Sequence, residues 1–489
     1  MWWRCLFHII AALIMLARSA DAADRAWEEC RVISGDPDEP IAACTKVLAR
    51  GSASSELIRH NVNFFRGVGY LRKGDYDNAI RDFSETIRLE PRYNMAHRDR
   101  GFAYQAKGDY DGAIKSYNEA IRLDPENAAE YIIGRGDAYL STGNEARALK
   151  DFEDGIRMNP KDAAGYLARG GAYESMHDYV RAFKDYDAAI RVAPDSDAAY
   201  ARRAEAHERR GDHERAIKDY GEALRMAPFD RNHLFARGLA LLNKKDFSRA
   251  VADFENVITR YPDDAAAYNA RGHVFFQKGD YEKAISDFSH AIKIDDRFTA
   301  ALSNRATAYR ATNGFEKAIS DYTKLIQLIE RPEKHHLAYW YYRGISYERL
   351  GKWPDAEADF LKAMELDPDQ PLVLNYLGYS WVDRNTKVKE GLALIEKAVK
   401  LKPDDGFIVD SLGWARYRSG DYQEALKLIE RAATLEPKSS EIADHLGEAY
   451  WRVGRQDDAR KTWEKALSLK PAPAEAEKIK NKIARGLEK

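Results

Sequence analysis

An arginine recurs along this chain at Arg66, Arg100, Arg135, Arg169, Arg203, Arg237, Arg271, Arg305 and Arg343. Sixteen residues after each stand Asp82, Ser116, Asp151, Asp185, Asp219, Asp253, Asp287, Asp321 and Asp359. A guanidinium is a rigid fork of donors that a carboxylate accepts two at a time, so the chemistry on offer is ion pairing. Both series stop together, giving way to Leu377, Leu412 and Leu446 and to Leu394, Leu428 and Thr462. Pairing each arginine with the preceding aspartate would set Arg66 against Ala43 and Leu377 against Asp359, whereas the sixteen-residue pairing leaves only Arg100 without a carboxylate. We therefore expect structural ion pairs that fix register more than they add stability. A row of arginines for a polyanion is the weaker reading, because each has a carboxylate at hand.

Other residues able to do chemistry are few. His335 and His336 are the only adjacent histidines, and no cysteine or second ligand cluster accompanies them, so we expect a solvated loop and no metal. No HExxH, GxSxG, phosphate loop or CxxC occurs, and no stretch outside the repeats is long enough for a catalytic domain, so neither enzyme nor cofactor is expected. Cys30 and Cys44 flank a turn at Gly35-Asp36-Pro37 and would face one another across a hairpin. In an oxidising compartment they would form a disulfide; in a reducing one, two buried thiols.

The compartment is addressed by the first residues. MWWRCLFHIIAALIMLARSADA joins a basic Arg4, an apolar run from Leu6 to Ala17 and the small-x-small triplet Ala20-Asp21-Ala22. We read residues 1–22 as a secretory signal, too short in its apolar run to span a bilayer, where about 20 residues are needed. No cysteine follows the run where a lipoprotein would carry one. The mature chain should be soluble and without a transmembrane span. Its 77 Lys plus Arg nearly balance 79 Asp plus Glu, so charge recruits neither nucleic acid nor an anionic membrane.

The elements that position these residues are written many times over. KGDYDNAIRDFSETIRLEP at 73–91 returns as KGDYDGAIKSYNEAIRLDP at 107–125 and, with changes, to SGDYQEALKLIERAATLEP at 419–437. Within 94–125, Gly101 and Tyr104, then Ala113, Ile114, Tyr117, Ala120 and Ile121, fall at helical spacing. Gly108-Asp109 separates the two sets and Pro125 stops the second, so each unit is a pair of antiparallel helices. The turn positions run Gly35, Gly74, Gly108, Gly143, His177, Gly211, Lys245, Gly279, Asn313, Gly351, Thr386, Gly420 and Gly454: twelve good units and a degenerate first. Between Asn313 and Gly351, QLIERPEKHH adds residues, and Pro332 marks a joint. We expect a signal at 1–22, a degenerate hairpin at 23–51, repeat arrays at 52–331 and 332–470, and a capping helix at 471–489.

Gly101, Tyr104, Ala113, Tyr117, Ala120 and Pro125 resemble the small, Tyr, Ala, aromatic, Ala and Pro positions of the tetratricopeptide repeat. The resemblance implies an all-α, right-handed superhelical solenoid whose first helices line a concave groove for a peptide or protein. By it, the groove would include Phe64, Phe102, Phe235, Leu239, Phe276, Tyr341, Tyr379, Trp414, Tyr417 and Trp451. In that family the arginine position is usually apolar. The last three units, LNYLGYSWVDRN to KTWEKAL, resemble the carboxy-terminal block of bacterial envelope repeat proteins, including adaptors for processing proteases. That resemblance implies a periplasmic scaffold, with a structural subunit of a polysaccharide or pilus export assembly as the alternative. Trp414 and Trp451 are surplus to the family's packing positions; they could pack against the neighbouring or the capping helix, and the favoured expectation is a partner-binding hot spot around Tyr379, Trp414, Tyr417 and Trp451.

Overall fold

The structure is a computed structural model, and it describes residues 27–32, 35–49 and 56–487. The expected signal at 1–22 lies outside them. Each repeat folds by the same local rules. Gly108 takes φ +86, a left-handed conformation that costs a side chain with a Cβ, and so ends helix Asn94–Lys107. Asp109 follows, its carboxylate accepting from the Gly112 N–H to cap helix Tyr110–Leu123. Equivalent caps come from Asp75, Asn144, Asp178, Asp212, Asp280 and Asp421. Where the turn lacks glycine, His177, Lys245 and Asn313 adopt the positive φ instead, and near Thr386 it passes to Asn385 and Lys387.

The chain divides into two compact units, the boundary falling between Asn256 and Val257 inside helix Phe247–Arg260. The first holds residues 27–30 in helix, helix Asp38–Ala49, five helical pairs from Glu56–Lys73 with Tyr76–Leu89 to Asp197–Arg209 with His213–Met226, and helix Arg231–Asn243 with the part of Phe247–Arg260 up to Asn256. The second holds six pairs, from Ala265–Gln277 with Tyr281–Ile294 to Ser440–Arg452 with Gln456–Ser468, then helix Pro473–Arg485. No strand occurs among the described residues. Within each unit a helix packs on its sequence neighbours, and the core is one seam of small and aromatic residues. A Cβ on Gly101 would lie 2.7 Å from the Tyr117 ring, which shows why the small position sits opposite the aromatic one.

Between the second and third pairs of the second unit, residues 328–336 carry the inserted segment, with a 3-10 turn at Lys334–His336. His336 Nδ1 accepts from the Glu333 N–H at 3.1 Å, so this ring caps the turn. At the amino end a disulfide joins Cys30 to Cys44, both buried with Ala43, Val47 and Val62. At the carboxy end Ile479, Ile483 and Leu487 pack with Trp463 and Trp451. Lys482 Nζ lies 2.6 Å from both Asp444 and Glu448, so this lysine ties the last helix to the last pair rather than merely solvating it.

Candidate partner-binding groove

The arginine series lies between paired helices. Arg66 Nε and Nη2 donate to the two oxygens of Asp82 at 2.7 and 2.8 Å, and the same fork recurs at Arg135–Asp151, Arg169–Asp185, Arg203–Asp219, Arg237–Asp253, Arg271–Asp287, Arg305–Asp321 and Arg343–Asp359. The aspartates are buried and the arginines half-buried. Arg100 meets only the hydroxyls of Ser116 and Ser84, at 3.2 and 3.3 Å. Burial without a carboxylate holds its pKa below the ordinary value.

Several of these guanidiniums have a further arm that the spacing argument does not foresee. Arg135 Nη1 donates to Asn118 at 2.6 Å, Arg203 Nη1 to Asp187 at 2.6 Å, Arg305 Nη1 to Ser289 at 3.0 Å and Arg343 Nη1 to Thr323 at 2.9 Å. Each acceptor sits on the second helix of the preceding pair. One side chain thus sets the register within its repeat and between repeats. Asp187, Ser289 and Ser84 stand sixteen residues before their arginines, a regularity readable once the arm is known.

The aromatics expected along the groove fall into different surroundings. Phe64 is buried, 5.0 Å from the Tyr93 ring. Phe102 and Phe235 stand edge-on to Tyr117 and Phe254 of their own repeats, Phe276 edge-on to Tyr281, while Leu239 is exposed. Tyr341 packs among Phe360 and Tyr376. Trp414 stacks on Tyr417 at 4.8 Å and on His445 of the next repeat at 4.1 Å. Tyr417 is buried, and Trp451 lies 5.7 Å from Trp463 beneath the last helix. Tyr379 lines a cavity of about 370 Å³, with Asn375, Tyr376, Phe407, Asp410, Ser411 and Glu441 among its neighbours.

Beneath Trp414, His445 Nδ1 bonds Asp410 Oδ2 at 2.8 Å. Burial works against protonation of this imidazole, but the charge and hydrogen bond of Asp410 outweigh it and raise its pKa above the ordinary value. Burial also pushes the Tyr379 phenol up. Asn375, Asp410 and His445 were not singled out from the sequence. Asn375 and Asp410 stand two before the arginine position, which holds apolar Phe64, Leu167 or Tyr341 in some earlier repeats but polar Arg98, Asn269 and Ser303 in others, so it gave no clear signal.

A tetratricopeptide repeat family model matches residues 66–128, 133–187, 173–231, 235–297 and 411–476, and a second model of the same repeat matches 337–370. The chain belongs to the tetratricopeptide repeat family. A TPR repeat-containing protein of Pseudomonas aeruginosa, PA4667, is 40% identical over 93 residues, 19% of this chain and 15% of that relative's own length. Among solved structures, the Cut9–Hcn1 hetero-tetramer of APC/C is similar with a TM-score of 0.46 and 17% identity, covering 92% of this chain and 93% of that one. Yeast Tom70 gives 0.41 and 15%, covering 88% and 96%. Among the described residues no helix is long and apolar enough to cross a membrane, and no cluster of three or more His, Cys, Asp or Glu could hold a metal.

Proposed function

We propose that this protein is a non-catalytic scaffold or adaptor of the bacterial cell envelope, binding a protein or peptide partner along the first helices of its repeats. Membership of a repeat family whose business is protein interaction supports the general role. The observation that carries it is the cavity beside Tyr379: around it the first helices offer side chains that the packing seam does not use, including Phe407, which is 54% exposed. The envelope assignment draws on the signal-like residues 1–22, the Cys30–Cys44 disulfide and the resemblance of the last three repeats to envelope adaptors. A processing protease or an envelope complex is the partner class that resemblance suggests.

A photo-crosslinking residue placed at Phe407 or Leu372, both exposed, tests the role in an envelope extract. One defined partner band is expected, weakened by Trp414→Ala. Crosslinks from residues on second helices alone, with silence from both groove positions, would refute it.

A further inference from the structure

We propose that the cavity beside Tyr379 receives a cationic side chain, arginine or lysine, of the partner polypeptide. The proposal rests on the scaffold reading and gives its partner a chemistry. The walls come from helices Leu337–Arg349, Pro371–Asp383, Gly406–Arg418 and Ser440–Arg452. Tyr376, Tyr379 and Phe407 form an aromatic side, whose ring faces attract cations. Four carboxylates, Glu348, Asp383, Asp410 and Glu441, outnumber two guanidiniums, Arg349 and Arg384. Both guanidiniums are drawn to one end: Arg384 lies 3.6 Å and Arg349 4.0 Å from Glu348, and Arg384 also sits over the Trp353 ring. At the other end Asp383 has Arg418 at 4.0 Å, and Glu441 has no ion-pair partner among the described residues.

Two acceptors in the lining lack donors. Asp410 is only 6% exposed; its Oδ2 is held by His445, and its Oδ1 has no partner. Asn375 Nδ2 donates to Ser411 Oγ at 3.1 Å, and the Ser411 hydroxyl is already given to the Phe407 carbonyl at 3.0 Å. In this orientation of the amide Asn375 Oδ1 has no donor. Buried acceptors without donors are rare and unfavourable, and a charged donor satisfies a carboxylate best. The lining therefore carries more carboxylates than guanidiniums, with Glu441 unpaired among the described residues and an unpartnered acceptor on Asp410, and a guanidinium or ammonium supplies positive charge and donors together. The same lining disfavours a carboxylate terminus or a phosphate.

The test uses the full mature chain and capped pentapeptides with a central arginine, lysine, citrulline or norleucine between alanines, titrated calorimetrically at low salt. Arginine and lysine peptides should bind about tenfold or more tightly than their uncharged counterparts, as expected of a charge-assisted bond. Asp410→Asn, which keeps the shape and a hydrogen bond for His445, should abolish most of that difference. Should Asp410→Asn fail to fold, Glu441→Gln on the exposed rim supplies the readout, with a loss of about threefold for the cationic peptides only. Equal binding of arginine and citrulline peptides, or no effect of either variant, overturns the proposal. If charge preference is absent while the Phe407 crosslink persists, this inference fails and the scaffold reading stands; loss of that crosslink sinks the scaffold reading as well.

Discussion

Removing Arg237 should reveal what its ion pair is worth. Its Nε and Nη2 hold Asp253 at 2.8 and 2.7 Å, with side-chain exposures of 23% for the arginine and 6% for the aspartate. Breaking a fully buried pair costs about 3 to 5 kcal/mol, because it strands a charge. Partial exposure of the arginine lets water reach Asp253, so Arg237→Leu should cost roughly 2 to 4 kcal/mol. Adding Asp253→Leu removes the stranded charge and should recover at least half of that loss, since a dry pair of leucines already fills this seam at Leu377 and Leu394. Arg237 suits the cycle because no third side chain complicates it, whereas Arg203 also engages Asp187. A repeat array need not unfold in one step, so denaturant midpoints should be read beside hydrogen exchange of helices Arg231–Asn243 and Phe247–Arg260. Additive losses in the two single variants would refute a pair that acts as a unit.

Ser116→Asp should complete the interrupted series by giving Arg100 the carboxylate its eight counterparts have, raising stability by about 1 to 2 kcal/mol in urea denaturation; unchanged or lower stability would show that seam unable to take the charge. Asp137, on helix Ala129–Ser141, has its pKa raised to about 6 by burial, with Arg202 offsetting part. A carboxyl raised above its unfolded value of about 3.9 stabilises the fold at low pH and loses that contribution as pH passes through about 6. Asp137→Asn should thus raise the thermal midpoint at neutral pH and leave it unchanged near pH 4, and equal shifts at both would contradict the assignment. Reducing Cys30–Cys44 opens a short loop, which should cost about 3 kcal/mol of local stability, read as faster exchange in helix Asp38–Ala49 with no change beyond Lys107. Mass spectrometry of native protein should find Ala23 as the first residue and Cys30 joined to Cys44; an intact Met1 would defeat the signal reading.

How much of this was legible depended on whether a residue repeats. The helical pairs, their turns and the sixteen-residue arginine register could be read because each is stated many times, so twelve copies serve as an internal alignment. The second arm of the arginines was not legible, since its acceptors vary between Thr45, Asn118, Asp187 and Ser289 and at different spacings. For Trp451 the repeat pattern leaves a partner and the capping helix as alternatives, because the family positions beside it are filled. The helix Pro473–Arg485, outside the repeat pattern, brings Ile479 and Ile483 against it. A pattern argument accounts for the neighbours that the pattern contains, and the array ends where the pattern does.

The exchange of charge for leucine at Leu377, Leu412 and Leu446 has a counterpart two residues earlier. There Asn375, Asp410 and Asp444 stand, and, as Asn269 does to Asn304, each reaches forward: Asn375 to Ser411, Asp410 to His445, Asp444 to Lys482. Stitching between neighbours is thereby kept after the arginine forks end, alongside bonds from Arg416 to Glu396 and from Tyr450 to Glu430. An arginine fork engages both oxygens of its aspartate. The forward stitches use one oxygen of Asp410 and one of Asp444 and leave the second without a donor. At Asp444 the adjoining terminal helix, through Lys482, supplies the charge. At Asp410 the hydrogen-bond partner is His445, and the cavity lies beside it. The last three repeats thus replace the arginine fork with forward side-chain bonds that leave Asp410 Oδ1 and Asp444 Oδ1 without donors, and only the second of these carboxylates has a lysine at hand.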